Sequence, residues 1–355
     1  EVVAFASFGF CKAHAAAFAV PTYQSAWLKA HYPAHFLAGV LTHEPGMYPR
    51  RLILDDARRH GIEILPLDIN ISEPEYTVEV LAPERRSGIR IGFKDVHGIS
   101  DPEIHSILRA RAEKPFADVG DVLRRTNLTR PVAEALAHAG AFDRLRGGSR
   151  RDRLFEAMVT DAPRDGEQAT LPIAAAAPAV LRDYSSAERV RAELEVLGVD
   201  ASRHLMSFYE PLLQDLGVIP ASRLHEQRGD AWVMVAGVKV ASQTPAVRSG
   251  QRIIFLTLDD GTGLADATVF ERVQPWCAKT IFHGFVLVVW GRLRRTGVKG
   301  VSVIAERAWD LAALSAARKE GRLTEALAGA PAGVPEPVAS PAKKLWHSSG
   351  GSAGR

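Results

Sequence analysis

The chain has 355 residues, 46% of them hydrophobic and 24% charged, which suits two or three soluble domains with buried cores. No apolar run approaches ~18 residues and residues 1–20 lack a basic start followed by an apolar core, so neither a membrane span nor a signal peptide is expected. Only Cys11 and Cys277 occur, which argues against a disulfide framework or a zinc site and fits a cytoplasmic location. The net charge of +3 decides little, but it is unevenly spread. Residues 85–153 carry 15 Lys/Arg against nine Asp/Glu, and residues 228–307 carry 11 against six. Two basic modules on a near-neutral chain point to a polyanionic partner.

Residues 1–87 read as mainly helical. A Gly-aromatic turn, Phe8-Gly9-Phe10, leads into Cys11-Lys12-Ala13-His14 and an alanine-rich helix. Pro21 predicts an interruption, with Thr22 as a cap for a new helix. Tyr23, Trp27, Ala30 and Ala34 then recur at helical spacing, and Pro33 marks another break. A helix over 49–60 stops at Gly61, followed by extended pieces at 63–70 and 76–80. Lys12 and His14 sit at a helix start, where free N–H groups favour anions, so phosphate contact competes with a plain surface role. His31 and His35 have the spacing of a metal pair, but no third ligand follows and they read as ordinary helix residues.

Residues 88–160 have the order of a tandem helix-hairpin-helix region. A strand at 89–93 precedes the turn Val96-His97-Gly98-Ile99-Ser100 and a helix over 102–112. In such hairpins a Gly-apolar-Gly turn brings backbone N–H groups to a DNA phosphate without reading sequence. Gly98 keeps the first glycine. Ser100 replaces the second, and can donate or cap the helix. Short helices to Leu123 and His138 follow, and Ala139-Gly140-Ala141-Phe142-Asp143 closes the hairpin. Beyond it Arg144, Arg146, Arg150, Arg151 and Arg153 form an arginine run, read as phosphate contacts or as a solvated face.

Residues 161–227 read as linker and connecting helices. Within the Pro- and Ala-rich part, Gln168, Leu171 and Ile173 could form a clamp-binding peptide, though its terminal aromatic is missing and a bare linker competes. An amphipathic helix over 185–197 stops at Gly198, with no capping box between Ser186 and Arg189. No chemistry is assigned to His204.

Residues 228–312 have the order of an OB-fold: strands at 232–241, 252–258 and 265–270, a helix from about 271 to 280, then strands at 286–293 and 301–306. Asp259 and Asp260 are turn formers rather than metal ligands. OB barrels take single strands on strands two and three and on the loops after strands one and four. Those places hold Arg248, Arg252, Arg294, Arg295 and Lys299, and Phe255 as either a stacking ring or a core residue. Residues 313–355 read as a disordered tail. The expected class is thus a multidomain α+β chain: a helical segment, a tandem helix-hairpin-helix, a five-stranded OB barrel and a tail.

The opening block F-x-x-F-G-F-C-K-A-H-A-A-A-F-A, with Y-Q-S-A-W-L-K-A-H-Y-P-A-H-F after it, resembles the fingers of bacterial C-family DNA polymerases. These are the polymerase III alpha subunits and their error-prone relatives. Cys11-Lys12-Ala13-His14 and the short region after the barrel are more similar to the error-prone branch. The resemblance implies the C-terminal part of such an enzyme, with Lys12 and His14 at the incoming nucleotide or template. It implies primer-template DNA and single-stranded template as partners, and the sliding clamp and accessory translesion proteins as further ones. The family's Mg²⁺-binding carboxylates lie in a palm region upstream of the fingers. No Asp-x-Asp occurs here, and Glu193 and Glu195 lie about 200° apart on a helix. Mg²⁺ is expected for the full-length polymerase and no cofactor for this chain, which alone is expected to be non-catalytic. A fragment of the replicative subunit and a free-standing DNA-binding adaptor are the alternatives.

Overall fold

The computed structural model describes residues 12–44, 46, 48–83, 86–159, 181–245, 252–297 and 300–328. The chain divides into two units, Glu1–Phe208 and Tyr209–Arg355. The helical segment, the helix-hairpin-helix order and the five-stranded barrel are all present.

In the first unit α1 spans Lys12–His31 and runs through Pro21 without a break, contrary to the sequence expectation. Proline removes one helical hydrogen bond, but the alanines on both sides are strong helix formers and carry the helix past it. Thr22 is therefore no cap; its hydroxyl donates to the Phe18 carbonyl at 2.7 Å, within the helix. None of the residues of α1 is buried among the described residues. Tyr32 leaves the helical region at φ −135°, and Pro33 opens α2 (Pro33–His43). His31 and His35 thus belong to different helices, their rings lying against Trp27 and Tyr32 respectively.

α3 (Arg50–Arg59) ends before Gly61, whose φ of +73° is the left-handed stop the sequence suggested. A three-stranded sheet follows: β1 (Glu63–Leu65), β2 (Thr77–Leu81) and β3 (Arg86–Arg90), with β3 central, parallel to β1 and antiparallel to β2. The extended stretch expected over 63–70 is a strand only as far as Leu65, and the strand expected at 89–93 ends at Arg90. Five helices come next: α4 (Asp101–Glu113), α5 (Val119–Arg125), α6 (Arg130–Ala139), α7 (Arg150–Val159) and α8 (Ser186–Leu197). One apolar core joins α2 and the sheet to these helices, with Leu54, Ile89, Ile107, Leu136 and Phe142 fully buried. The capping box of α8 lies one residue earlier than the pair rejected from sequence. Ser185 caps, and Glu188 takes its N–H at 2.8 Å.

The second unit opens with α9 (Glu210–Asp215). Its barrel strands are β4 (Trp232–Gln243), β5 (Ile254–Asp259), β6 (Leu264–Val269), β7 (Val286–Arg295) and β8 (Val301–Asp310), with α10 (Gln274–His283) between β6 and β7. The closed order β4-β5-β6-β8-β7, with β6 parallel to β8, is the OB arrangement. Val233, Val235, Leu256, Leu258, Val289 and Leu293 fill its interior, the inward half of each alternating strand. Gly291 lies at an irregularity between β7 and β8, where a Cβ would come within 2.0 Å of the Ile304 carbonyl oxygen. The turn after β5 is held as expected: Asp260 accepts from the Thr262 and Gly263 amides at 2.8 and 3.0 Å.

Two helices, α11 (Leu311–Lys319) and α12 (Leu323–Ala328), occupy the start of the segment read as a disordered tail. Asp310 caps α11, and Leu311 and Leu314 are buried, so residues 313–328 have the contacts that their composition hid. Residues 329–355 lie outside the described residues, as does the linker at 160–180 with Gln168, Leu171 and Ile173. Among the described residues no helix is long and apolar enough to cross a membrane.

Candidate nucleic-acid interface

The first hairpin turn places Gly98 at the surface with φ +84°. Its amide makes no hydrogen bond among the described residues, so a backbone donor faces outward there. Of the two roles open to Ser100, the structure shows the cap. Its N–H and hydroxyl both donate to Glu103 Oε2, at 2.9 and 2.7 Å. A carboxylate that takes both donors occupies them, so Ser100 acts as the cap of α4 rather than as a phosphate donor.

Glu103 does more than cap one helix. Its other oxygen accepts from the Thr129 N–H and hydroxyl, each at 2.9 Å. Thr129 precedes α6, so one buried carboxylate ties the starts of α4 and α6 together. Burial alone would push its pKa up, but the Thr129 and Ser100 donors outweigh it and hold the carboxylate below its ordinary range.

The arginine run divides by what each guanidinium already holds. Arg150 is 5% exposed, pairs with Asp143 and donates to the His138 carbonyl at 3.2 Å. That pair fills the space over Gly140, whose φ of +85° makes the closing turn. Arg150 is thus a strut of the hairpin, which corrects its reading as a surface contact. Arg151 pairs with Glu188 and lies over the Tyr184 ring at 4.9 Å. Arg144 is exposed and 3.5 Å from Asp68. Arg146 is exposed and forms no ion pair among the described residues. Arg109 on α4 and Arg124 on α5 are equally exposed and unpaired in that sense, and the sequence reading passed over both. Their positions on the outer sides of amphipathic helices were the available signal.

On the barrel, Arg294 is exposed at the end of β7. Arg295 donates to the carbonyls of His225 and Gln227, anchoring the segment before β4, so it is committed to the fold. Arg252 is exposed. Arg248 and Lys299 lie outside the described residues. Phe255, left open between core and surface, points outward at 43% exposure. The larger aromatic feature is elsewhere. Trp232 of β4 stacks on Trp290 of β7, centroids 4.2 Å apart and planes 11° apart.

Two family models match the chain: a helix-hairpin-helix motif over residues 61–153 and an OB-fold nucleic acid binding domain over 233–311. An error-prone DNA polymerase of Symbiobacterium thermophilum is 36% identical over 82% of this chain and 31% of its own length. One of Azoarcus sp. is 34% identical over 88% of this chain and 29% of its own. The chain is a homologue of the error-prone DNA polymerases. It spans about a third of the length of these relatives. Among solved structures, an asparaginyl-tRNA synthetase of Pyrococcus horikoshii overlaps 26% of this chain and 22% of its own, at 20% identity and a TM-score of 0.22, too little to add to the fold.

Within this homologue of the error-prone polymerases, Lys12 opens α1 and is exposed, and His14 two residues on packs edge-to-face on Phe18, centroids 4.6 Å apart. Glu193 of α8 is buried and accepts from the Ser202 N–H and hydroxyl at 2.9 and 3.0 Å, whereas Glu195 is exposed, so these two carboxylates cannot share an ion. His204 stands 3.4 Å from the buried Asp55, a contact inside the fold of the first unit.

Proposed function

We propose that this chain is the DNA-gripping part of an error-prone DNA polymerase, the whole enzyme extending primers during damage-induced translesion synthesis and repair. The observation that carries this reading is the succession of a helix-hairpin-helix region and an OB barrel in a chain homologous to error-prone polymerases. In the proposed enzyme Mg²⁺ would activate the primer terminus and neutralise the triphosphate. The residues that would hold it are not assigned to this chain. Its own residues would bind and orient primer-template DNA: the Gly98 turn with Arg109, Arg124 and Arg146 on the duplex, Lys12 and His14 towards the nucleotide or template, and the barrel on the unpaired strand. The sliding clamp and accessory translesion proteins are proposed as further partners of the whole enzyme, which would work in the cytoplasm.

Two measurements test this. The purified chain, given primed DNA, deoxynucleotides and Mg²⁺, should bind the DNA and leave the primer unextended; extension would overturn the division of roles. Replacing Arg109, Arg124 and Arg146 together with alanine should weaken duplex binding equally for unrelated sequences. The slope of log affinity against log salt should fall by about 0.9 for each phosphate that the variant no longer neutralises. Unchanged affinity and slope would remove the hairpin surface from the reading.

A further inference from the structure

We infer that the outer face of β4 and β7 is a stacking site for one unpaired nucleobase, with Trp232 as its platform and Arg292 and Arg294 as contacts for the adjoining phosphates. This rests on the reading that the chain grips nucleic acid, but it moves the single strand from the β5–β6 face to another side of the barrel.

The geometry is specific. Trp232 is 53% exposed although it lies in a barrel strand. Trp290 supports it in a near-parallel stack, which fixes the indole and leaves part of it open to solvent. In the β4–β7 register Trp232 lies opposite Arg292, whose guanidinium is 5.9 Å from the ring centroid. Trp290, Arg292 and Arg294 alternate along β7 and share its outer face, with successive side chains ~7 Å apart. Neither β4 nor β7 contains an acidic residue, and Arg292 and Arg294 form no ion pair among the described residues. The Arg292 guanidinium lies over the indole as an exposed side chain that a base can displace towards the adjoining phosphate, with Arg294 next along the strand. Stacking on such a ring tolerates any base, because every base offers a π-face.

The β5–β6 face offers less. Its outward residues include Phe255, Thr257, Asp266 and Leu264, with no lysine or arginine in either strand, and Asp266 is held by the Thr257 hydroxyl at 2.7 Å. The size of the Trp232 patch also selects the occupant. Further along the same side of β4, Ala236 and Val238 are only 2% and 1% exposed. The exposed residues of this face are Trp232, Arg292 and Arg294, with Met234 and Trp290 half-buried, far fewer than the roughly 20–30 residues a side of a stable protein interface.

The test uses the 355-residue chain with two labelled strands of equal length, oligo(dT) and an abasic sugar-phosphate strand, titrated at low salt. The unaltered chain should prefer oligo(dT). Trp232→Ala should weaken oligo(dT) binding roughly tenfold and leave abasic binding unchanged, and Trp232→Phe should recover most of the loss. Arg292→Ala and Arg294→Ala should weaken both strands and lower the salt slope by about 0.7 each. Trp232→Ala binding oligo(dT) as tightly as the unaltered chain overturns the inference. So does an equal loss on both strands, or an unaltered chain that binds the two strands alike, a result that needs no variant to fold. A chain that binds neither strand sinks the broader reading together with this one. A chain that binds both without regard to Trp232 sinks only this one.

Discussion

Replacing Glu103 with alanine is expected to cost the first unit about 2–3 kcal/mol of stability, read by denaturant unfolding. Its carboxylate accepts four hydrogen bonds from the residues that open α4 and α6, and its removal leaves the Ser100 and Thr129 donors without their acceptor at both helix starts at once. The effect has a pH signature. The folded carboxylate titrates below its ordinary value of 4.5, so its contribution is complete above that value and is lost as the pH falls through the folded pKa. The stability gap between the unaltered chain and Glu103→Ala should therefore narrow as the pH falls below about 4.5. A gap that stays constant on acidification would mean that the charge of Glu103 contributes nothing.

Gly291→Val should do more, costing above about 3 kcal/mol. The added carbon would meet backbone at 2.0 and 2.8 Å, the oxygen and carbon of the Ile304 carbonyl, and a strand cannot turn away as a side chain can. β7 and β8 would have to separate where their register already shifts. Because Gly291 follows Trp290, the separation should also disturb the indole stack. The expected result is loss of the coupled-tryptophan circular dichroism signal together with a lowered melting temperature. A fully stable valine variant with that signal intact would show that β7 and β8 are not held as closely as described.

The barrel was legible from the sequence because its apolar strands and single helix come in OB order, and β4 opens on an alternation. Val233 and Val235 point in, Trp232 and Met234 point out, and the helix falls between the third and fourth strands as an OB order demands. The hairpin turns were legible from Gly98 and Gly140, and the end of α3 from Gly61, each with positive φ. The uses of the arginines were not. Charge counting treats Arg146 and Arg150 alike, yet one is exposed and the other is locked on Asp143. Arg295 finds its carbonyl partners far upstream in the chain, and no local pattern announces that. Ser100 was read as either cap or phosphate donor, and only the position of Glu103 decides. The Trp232–Trp290 stack depends on strand register, which the two tryptophans by themselves do not reveal.

α1 offers Phe18, Tyr23, Trp27 and Leu28 to water along a single rod of 20 residues. Helices of that length owe most of their persistence to what they lean on, and among the described residues of its own unit this one touches little beyond α2. Lys12 and His14 lie at the end of this rod away from α2, so the direction in which they point follows from how α1 is held at its other end, by α2 and by the Lys29–Asp56 ion pair.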